Sequence, residues 1–250
     1  MSPMDIPAPV HALERELRGV FGTRLQAFVV YGERARHAAG VTHEHGTHGH
    51  DGAPITTLAV VDTLTGDDLR ACALRVAAWH DEGLATPLLL AAHEFERSLD
   101  VFPLEFGAIL ADHAVVAGAS PFAAATVDAA DIRRAVEVQA RSHLLHLREG
   151  YLETRGRGDA LSLLIAQSAA PFAALLLGIA RLDGTATHDP AAAARHAERV
   201  LNVPGGAIAD VAALAPGRDL ASAQAEHLFP AYLDAVEKLV AYVDGWADGR

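Results

Sequence analysis

The densest chemistry in this 250-residue chain lies in His43-Glu44-His45-Gly46-Thr47-His48-Gly49-His50-Asp51. Four histidines fall within eight residues, spaced H-x-H-x-x-H-x-H, among glycines that let the backbone fold round an ion. Neutral imidazole suits divalent zinc, nickel, copper or cobalt, and Glu44 or Asp51 is placed to complete a shell, with His37 a further candidate. His43, His45, His48, His50 and Asp51 are therefore the candidate metal ligands, with zinc or nickel as the expected ion. The competing reading is a solvated insertion, 37–51, whose histidines only titrate, because histidine-rich loops bind metals with little selectivity.

Other reactive residues give thinner patterns. His143 and His146 stand three apart on a helical stretch and so share a face. With Arg141, Arg148 and Glu149 nearby they fit either a cleft lining or an ordinary half-buried helix face. No Ser-His-Asp or Cys-His set sits on a strand-turn-helix that would expose a nucleophile. Cys72 is the single cysteine, which excludes an intrachain disulfide and a thiolate zinc site, and it reads most simply as a small core residue.

The bulk composition removes several classes. A formal charge of −12 argues against a nucleic-acid backbone as partner, since phosphate contacts need clustered Lys and Arg, and Lys238 is the only lysine. Hydrophobic residues make up 51 % and aromatics only 6 %, so a large core must be built mainly from Ala, Leu and Val. Residues 1–9 lack the basic-then-apolar order of a signal peptide. Residues 160–180 run uncharged for 21 positions, long enough to cross a bilayer. Ser162, Gln167, Ser168 and Pro171 within the run, and charges on both flanks, favour the central helix of a bundle instead. The expectation is a cytoplasmic protein with no membrane partner.

Two kinds of element must position these residues. Residues 9–21 carry Leu13, Leu17, Val20 and Phe21 at helical spacing. Apolar runs predict strands at about 25–32 and 55–61, and a third at 101–107, with 108–112 also open to a helical reading. A helix is expected from Gly66, whose following Asp67 and Asp68 suit its positive end, to about Asp81. Residues 86–91 have the length of a short strand, and 93–98 that of one or two helical turns. After Gly118-Ala119-Ser120-Pro121 the pattern changes: helices are predicted at 128–153, 159–182, 190–201, 208–214 and 222–246, joined by Gly/Pro pairs. The expected class is α+β: a mixed-sheet domain over 1–125, then a helical bundle over 126–250.

The first domain resembles the nucleotidyltransferases of the polymerase β superfamily. Phe28-Val29-Val30-Tyr31-Gly32 is strand and glycine turn, and Ile55-Thr56-Thr57-Leu58-Ala59-Val60-Val61 is the second strand. Ser98-Leu99-Asp100-Val101-Phe102-Pro103-Leu104-Glu105-Phe106, with Val115 to Phe122, resembles bacterial proteins described as nucleotidyltransferase-like. The trailing helical bundle is a familiar companion of that domain. The resemblance implies that Gly32, Glu33 and Arg34 lie where nucleotide phosphates bind. It also implies paired magnesium-binding aspartates on the second strand, at the positions held here by Ile55 and Thr57. Neither is a carboxylate, and Glu33 replaces a serine with a charge that repels a triphosphate. Glu105 matches the third, apolar–acid–apolar position and is the one candidate catalytic carboxylate, too few for two-metal transfer. Asp51 and Asp62 flank the second strand without falling at its ligand positions.

Magnesium is therefore not expected. The reading is a nucleotidyltransferase-like protein without transfer activity, in a binding or regulatory role toward a nucleotide or small molecule, with a homodimer as the open oligomeric alternative. Two other readings stand beside it: an active metal-dependent nucleotidyltransferase, and a metal-binding protein that uses the histidine loop.

Overall fold

The computed structural model describes residues 6–32, 35, 54–123, 125–185, 187, 189–203, 205–214 and 220–246. The chain divides into two compact units, 1–127 and 128–250.

The first unit is built on a four-stranded mixed sheet. Its strands are β1 (Leu25–Tyr31), β2 (Thr56–Val61), β3 (Leu88–Ala91) and β4 (His113–Gly118), in the order β3-β2-β1-β4. β1 pairs antiparallel with β2 and β4, and β2 pairs parallel with β3. Among the described residues five helices accompany them: α1 (Ala8–Phe21), α2 (Gly66–Ala73), α3 (Val76–Asp81), α4 (Ala92–Val101) and α5 (Pro103–Ala111); α6 (Ala129–Thr154) opens the second unit. Alternate residues of the central strands feed two cores, as the period of two requires. Phe28, Val30, Ile55, Ala59 and Val61 pack with Leu13 and Leu17 of α1, Cys72 of α2 and Trp79 of α3. Val29, Leu58 and Val60 pack on the other side with Phe95 of α4, Phe106 and Ile109 of α5, and Phe122. Cys72 is thus the buried core residue its setting implied.

Polar bonds lock this framework at the start of α2. Thr65 Oγ1 accepts from the Asp68 N–H and Asp68 Oδ2 accepts from the Thr65 N–H, a reciprocal cap. Arg24, just before β1, donates to both carboxylate oxygens of Asp68 at 2.8 and 2.7 Å.

The stretch 101–107 is not a strand. α4 ends at Val101 and α5 starts at Pro103, while the fourth strand lies later, at 113–118. Proline fits the first turn of a helix, where no N–H is needed. The buried residues Pro103, Phe106, Gly107 and Ile109 follow a helical repeat. The alternation of Leu104 and Phe106 around Glu105 imitated a strand over three residues only. The single helix expected over 66–81 is two, α2 and α3, parted at Leu74–Arg75.

The second unit is helical. α6 is followed by α7 (Gly158–Leu182), α8 (Pro190–Val200), α9 (Ala207–Ala212) and α10 (Ser222–Asp244). α7 has the length and composition of a membrane span. Here it is the central helix, packed against α6, α8, α9 and α10. Its buried side chains include Ile165, Phe172, Leu176 and Ile179. A directional hydrogen-bond chain crosses this core. Ser168 Oγ donates to the Ile165 carbonyl, Tyr232 Oη donates to Ser168 Oγ at 3.0 Å, and His143 Nε2–H then donates to Tyr232 Oη at 2.6 Å. His143 stacks on Phe172, and burial first, then neighbouring His146, lowers its pKa to about 4, so it is neutral at pH 7. Asp183, at the end of α7, accepts from Tyr242 and Trp246 and meets His196 Nε2 at 2.8 Å, tying three helices together.

Candidate ligand site at the Gly32 end of the sheet

β1 ends at Tyr31, and Gly32 turns the chain with φ +77°, a backbone region that glycine enters without strain. A Cβ at Gly32 would meet Thr56 Oγ1 at an ordinary 3.5 Å, so glycine is needed here for its dihedral and not for space. Both backbone groups of Gly32 are already engaged. Its N–H donates to the Asp112 carbonyl at 2.9 Å, and its carbonyl accepts from Ala35 at 3.0 Å. Thr56 Oγ1 donates to the Tyr31 carbonyl at 2.9 Å and ties the start of β2 to the end of β1.

Other polar side chains collect at this end through strand pairing. His113 begins β4 opposite Tyr31. Its Nδ1–H donates to the Leu110 carbonyl at 3.1 Å and its ring lies 4.5 Å from that of Phe122. That bond places a proton on Nδ1 and leaves Nε2 without a part in it. Glu105 is exposed in the first turn of α5. Burial pushes the Tyr31 phenol up, and the negative charge of Glu105 adds to the shift, which places the carboxylate within electrostatic reach of Tyr31. Tyr31, Thr56, Glu105 and His113, beside the backbone of Gly32 and Asp112, form the polar rim of the sheet. Of the residues the sequence singles out, Gly32 and Glu105 stand at this end; His113 and Asp112 are not among them, because a strand assigned to 101–107 leaves no β4 to bring them beside Tyr31.

The positions matched to the magnesium-binding aspartates are core positions. Thr57 pairs with Val30, is 1 % exposed, and its Oγ1 has no hydrogen-bond partner among the described residues. Ile55 is buried in the same core, and its backbone bonds to Gly83 and Ala85 at 2.8 Å each. Magnesium takes several oxygen ligands, carboxylates foremost, and a buried aliphatic chain with one neutral hydroxyl does not supply them. The other alternation phase of the strand presents Pro54 and Thr56, also without a carboxylate. Asp62 lies beyond the opposite end of β2, about 23 Å from Ile55 at roughly 3.3 Å per residue. It accepts from Gln26 there, so it does not replace them. Among the described residues no three His, Cys, Asp or Glu gather closely enough to hold a metal ion. Glu33, Arg34 and the loop with His43, His45, His48, His50 and Asp51 lie outside the described residues. His143 lies inside the bundle as described, and His146 bonds to Ser142 on its own helix.

No family model matches the sequence, and no curated protein matches it. Among solved structures the chain is similar to the spectinomycin adenyltransferase AAD(9) from Enterococcus faecialis, determined with ATP and spectinomycin. The TM-score is 0.54 at 10 % identity, over 92 % of this chain and 98 % of that one. The fold is nucleotidyltransferase-like. At that identity the likeness speaks for the path of the chain through sheet and bundle, and leaves the chemistry to the residues themselves.

Proposed function

We propose that this nucleotidyltransferase-like protein binds a nucleotide or small molecule at the Gly32 end of the sheet without transferring a nucleotidyl group, and so acts as a binding or regulatory protein. The observation that carries the reading is the burial of Ile55 and Thr57. Where transfer chemistry requires exposed carboxylates, this chain has core side chains. The Gly32 N–H already donates to the Asp112 carbonyl, so a ligand at this end would be met by the side chains of the rim and not by that amide. The solved relative carries ATP and spectinomycin, which makes ATP the first ligand to assay.

Purified protein with magnesium and labelled ATP should release no pyrophosphate and label neither itself nor added small molecules above background. Nucleotide binding, read by calorimetry, should weaken when Tyr31→Phe and His113→Ala are combined. Magnesium-dependent transfer by the parent protein, abolished by Glu105→Ala, would overturn the reading in favour of an active enzyme.

A second reading rests on the spacing of the histidine loop: His43, His45, His48 and His50, with Asp51, hold one zinc or nickel ion. Binding near one equivalent per chain, lost in the His45→Ala/His48→Ala pair and kept in a pair at exposed His11 and His227, supports it. Several weakly bound ions with no defined stoichiometry sink it.

A further inference from the structure

An open cavity of about 950 Å³ lies in the second unit, well away in sequence from every residue discussed above as a ligand site. Its wall comprises Thr185 and Thr187 from the α7–α8 connection, Ala192, Arg195, His196, Glu198 and Arg199 from α8, and Asn202 and Val203 just beyond it. That volume is in the range of small-molecule pockets.

The charge in the wall is one-sided in availability. Arg195 and Arg199 stand one helical turn apart and so share a face. Arg195 has a single long contact, 3.7 Å to Asp189, with both side chains largely exposed, a pairing that contributes little. Arg199 donates only its Nε, to the Arg195 carbonyl at 3.3 Å, and among the described residues it has no ion-pair partner. The carboxylate in the wall, Glu198, accepts from the Ala209 N–H at 3.1 Å, and the two arginines exceed it in charge. His196 forms the buried base of the cavity. Asp183 fixes its Nε2 at 2.8 Å, and its Nδ1 stands 3.4 Å from Thr185 Oγ1. Two guanidinium groups with unused donors, hydroxyl and amide groups from Thr187 and Asn202, and apolar surface from Ala192 and Val203 make one composite surface. Planar guanidinium forks match the oxygens of a phosphate, and the apolar wall has use only for a ligand with a hydrocarbon part.

We infer that this cavity is a binding site for a phosphate monoester that carries an apolar group, with Arg195 and Arg199 on the phosphate and Ala192 and Val203 against the apolar part. The site is independent of the Gly32 end of the sheet, so the two readings stand or fall separately.

Phenyl phosphate is a suitable probe for the full-length chain. Calorimetry should give one site per chain, with tighter binding than for inorganic phosphate. Arg195→Gln combined with Arg199→Gln should weaken phenyl phosphate at least tenfold, because both charge-assisted contacts are lost. The same pair of changes at Arg15 and Arg18, exposed on α1, should leave it unchanged. Thermal melting of each variant checks that the fold survives, and Asn202→Ala with Thr187→Val gives a second, charge-neutral variant expected to weaken binding by a smaller factor. Equal affinity in the parent and the Arg195/Arg199 variant would overturn the assignment. So would no binding of phenyl phosphate below about 10 mM, the limit of the weakest specific complexes. Inorganic phosphate binding as tightly as phenyl phosphate would overturn the apolar half of it.

Discussion

Replacing Thr57 by valine tests the central argument most directly. Thr57 is 1 % exposed and its hydroxyl has no partner among the described residues, so folding strips that group of water without a matching bond from them. Such a loss costs about 1–3 kcal/mol. Valine keeps the β-branching that suits the middle of a strand and puts a methyl where the hydroxyl was. The Thr57→Val protein should therefore gain about 1 kcal/mol, which for a chain of this size raises Tm by about 2–4 °C. Denaturant titration should show a higher midpoint at unchanged slope. The converse change, Thr57→Asp, restores the carboxylate implied by the nucleotidyltransferase resemblance. It would bury an unpaired charge beside Val30 and Ala59, and should cost about 3 kcal/mol or more. Two results refute the reasoning. A valine variant less stable than the parent would mean that the hydroxyl has a partner. An aspartate variant as stable as the parent would mean that the position opens to solvent, as a metal-ligand position must.

Three further expectations follow from the same structure. His143 has its folded pKa lowered to about 4, so the unfolded chain takes up its proton first. Stability should be complete above about pH 6.5 and fall as pH drops toward 4, by on the order of 3 kcal/mol, and His143→Gln should flatten that part of the pH–stability curve. Asp68 is held well below the usual carboxylate range, chiefly by the Arg24 hydrogen bonds; its contribution is present above about pH 4 and lost below it, so Asp68→Asn should be less stable at pH 7 and less acid-sensitive in chemical denaturation. Gly118→Ala should destabilise the first unit far more than Gly32→Ala, although both have positive φ. A Cβ at Gly118 would lie 1.9 Å from the Gln26 carbonyl oxygen across the β1–β4 pairing, whereas at Gly32 the cost is the dihedral alone, about 1–2 kcal/mol; melting curves of the two variants compare them.

The parts of the fold that were legible in sequence are those whose burial pattern has one period. β1 and β2 are continuous apolar runs, as strands covered on both faces must be, and 128–246 keeps helical spacing between Gly/Pro joints. The stretch 98–118 was misread because α4, α5 and β4 follow one another with almost no polar punctuation. A three-residue alternation round Glu105 outweighed Pro103, whose place at a helix start was the better signal. The same error hid His113 and Asp112, since His113 reaches Tyr31 only through β4. The cavity beneath α8 left no trace at all. Arg195 and Arg199 are separated from Thr185 by a loop and a helix turn, and only the fold brings them to one wall.

Packing explains why this fold holds together with uncharged side chains at 55 and 57. In a strand the side-chain period of two sends Ile55, Thr57, Ala59 and Val61 to one face, and in this chain that face is the core shared with α1, α2 and α3. A carboxylate at 57 would have to be held out of that core by a metal ion or a water-filled cleft. A threonine needs neither. Its partner on β1, Val30, is fully buried, and Thr57 is packed away from solvent beside it. Uncharged side chains at 55 and 57 thus suit a closed, apolar sheet, and carboxylates there would need more than a single-residue change. Two-metal transfer chemistry at these positions would require carboxylates at 55 and 57 together with a change on the α1 face that lets solvent reach them. Replacing Ile55 and Thr57 by Asp alone should therefore yield a less stable protein with no magnesium-dependent turnover.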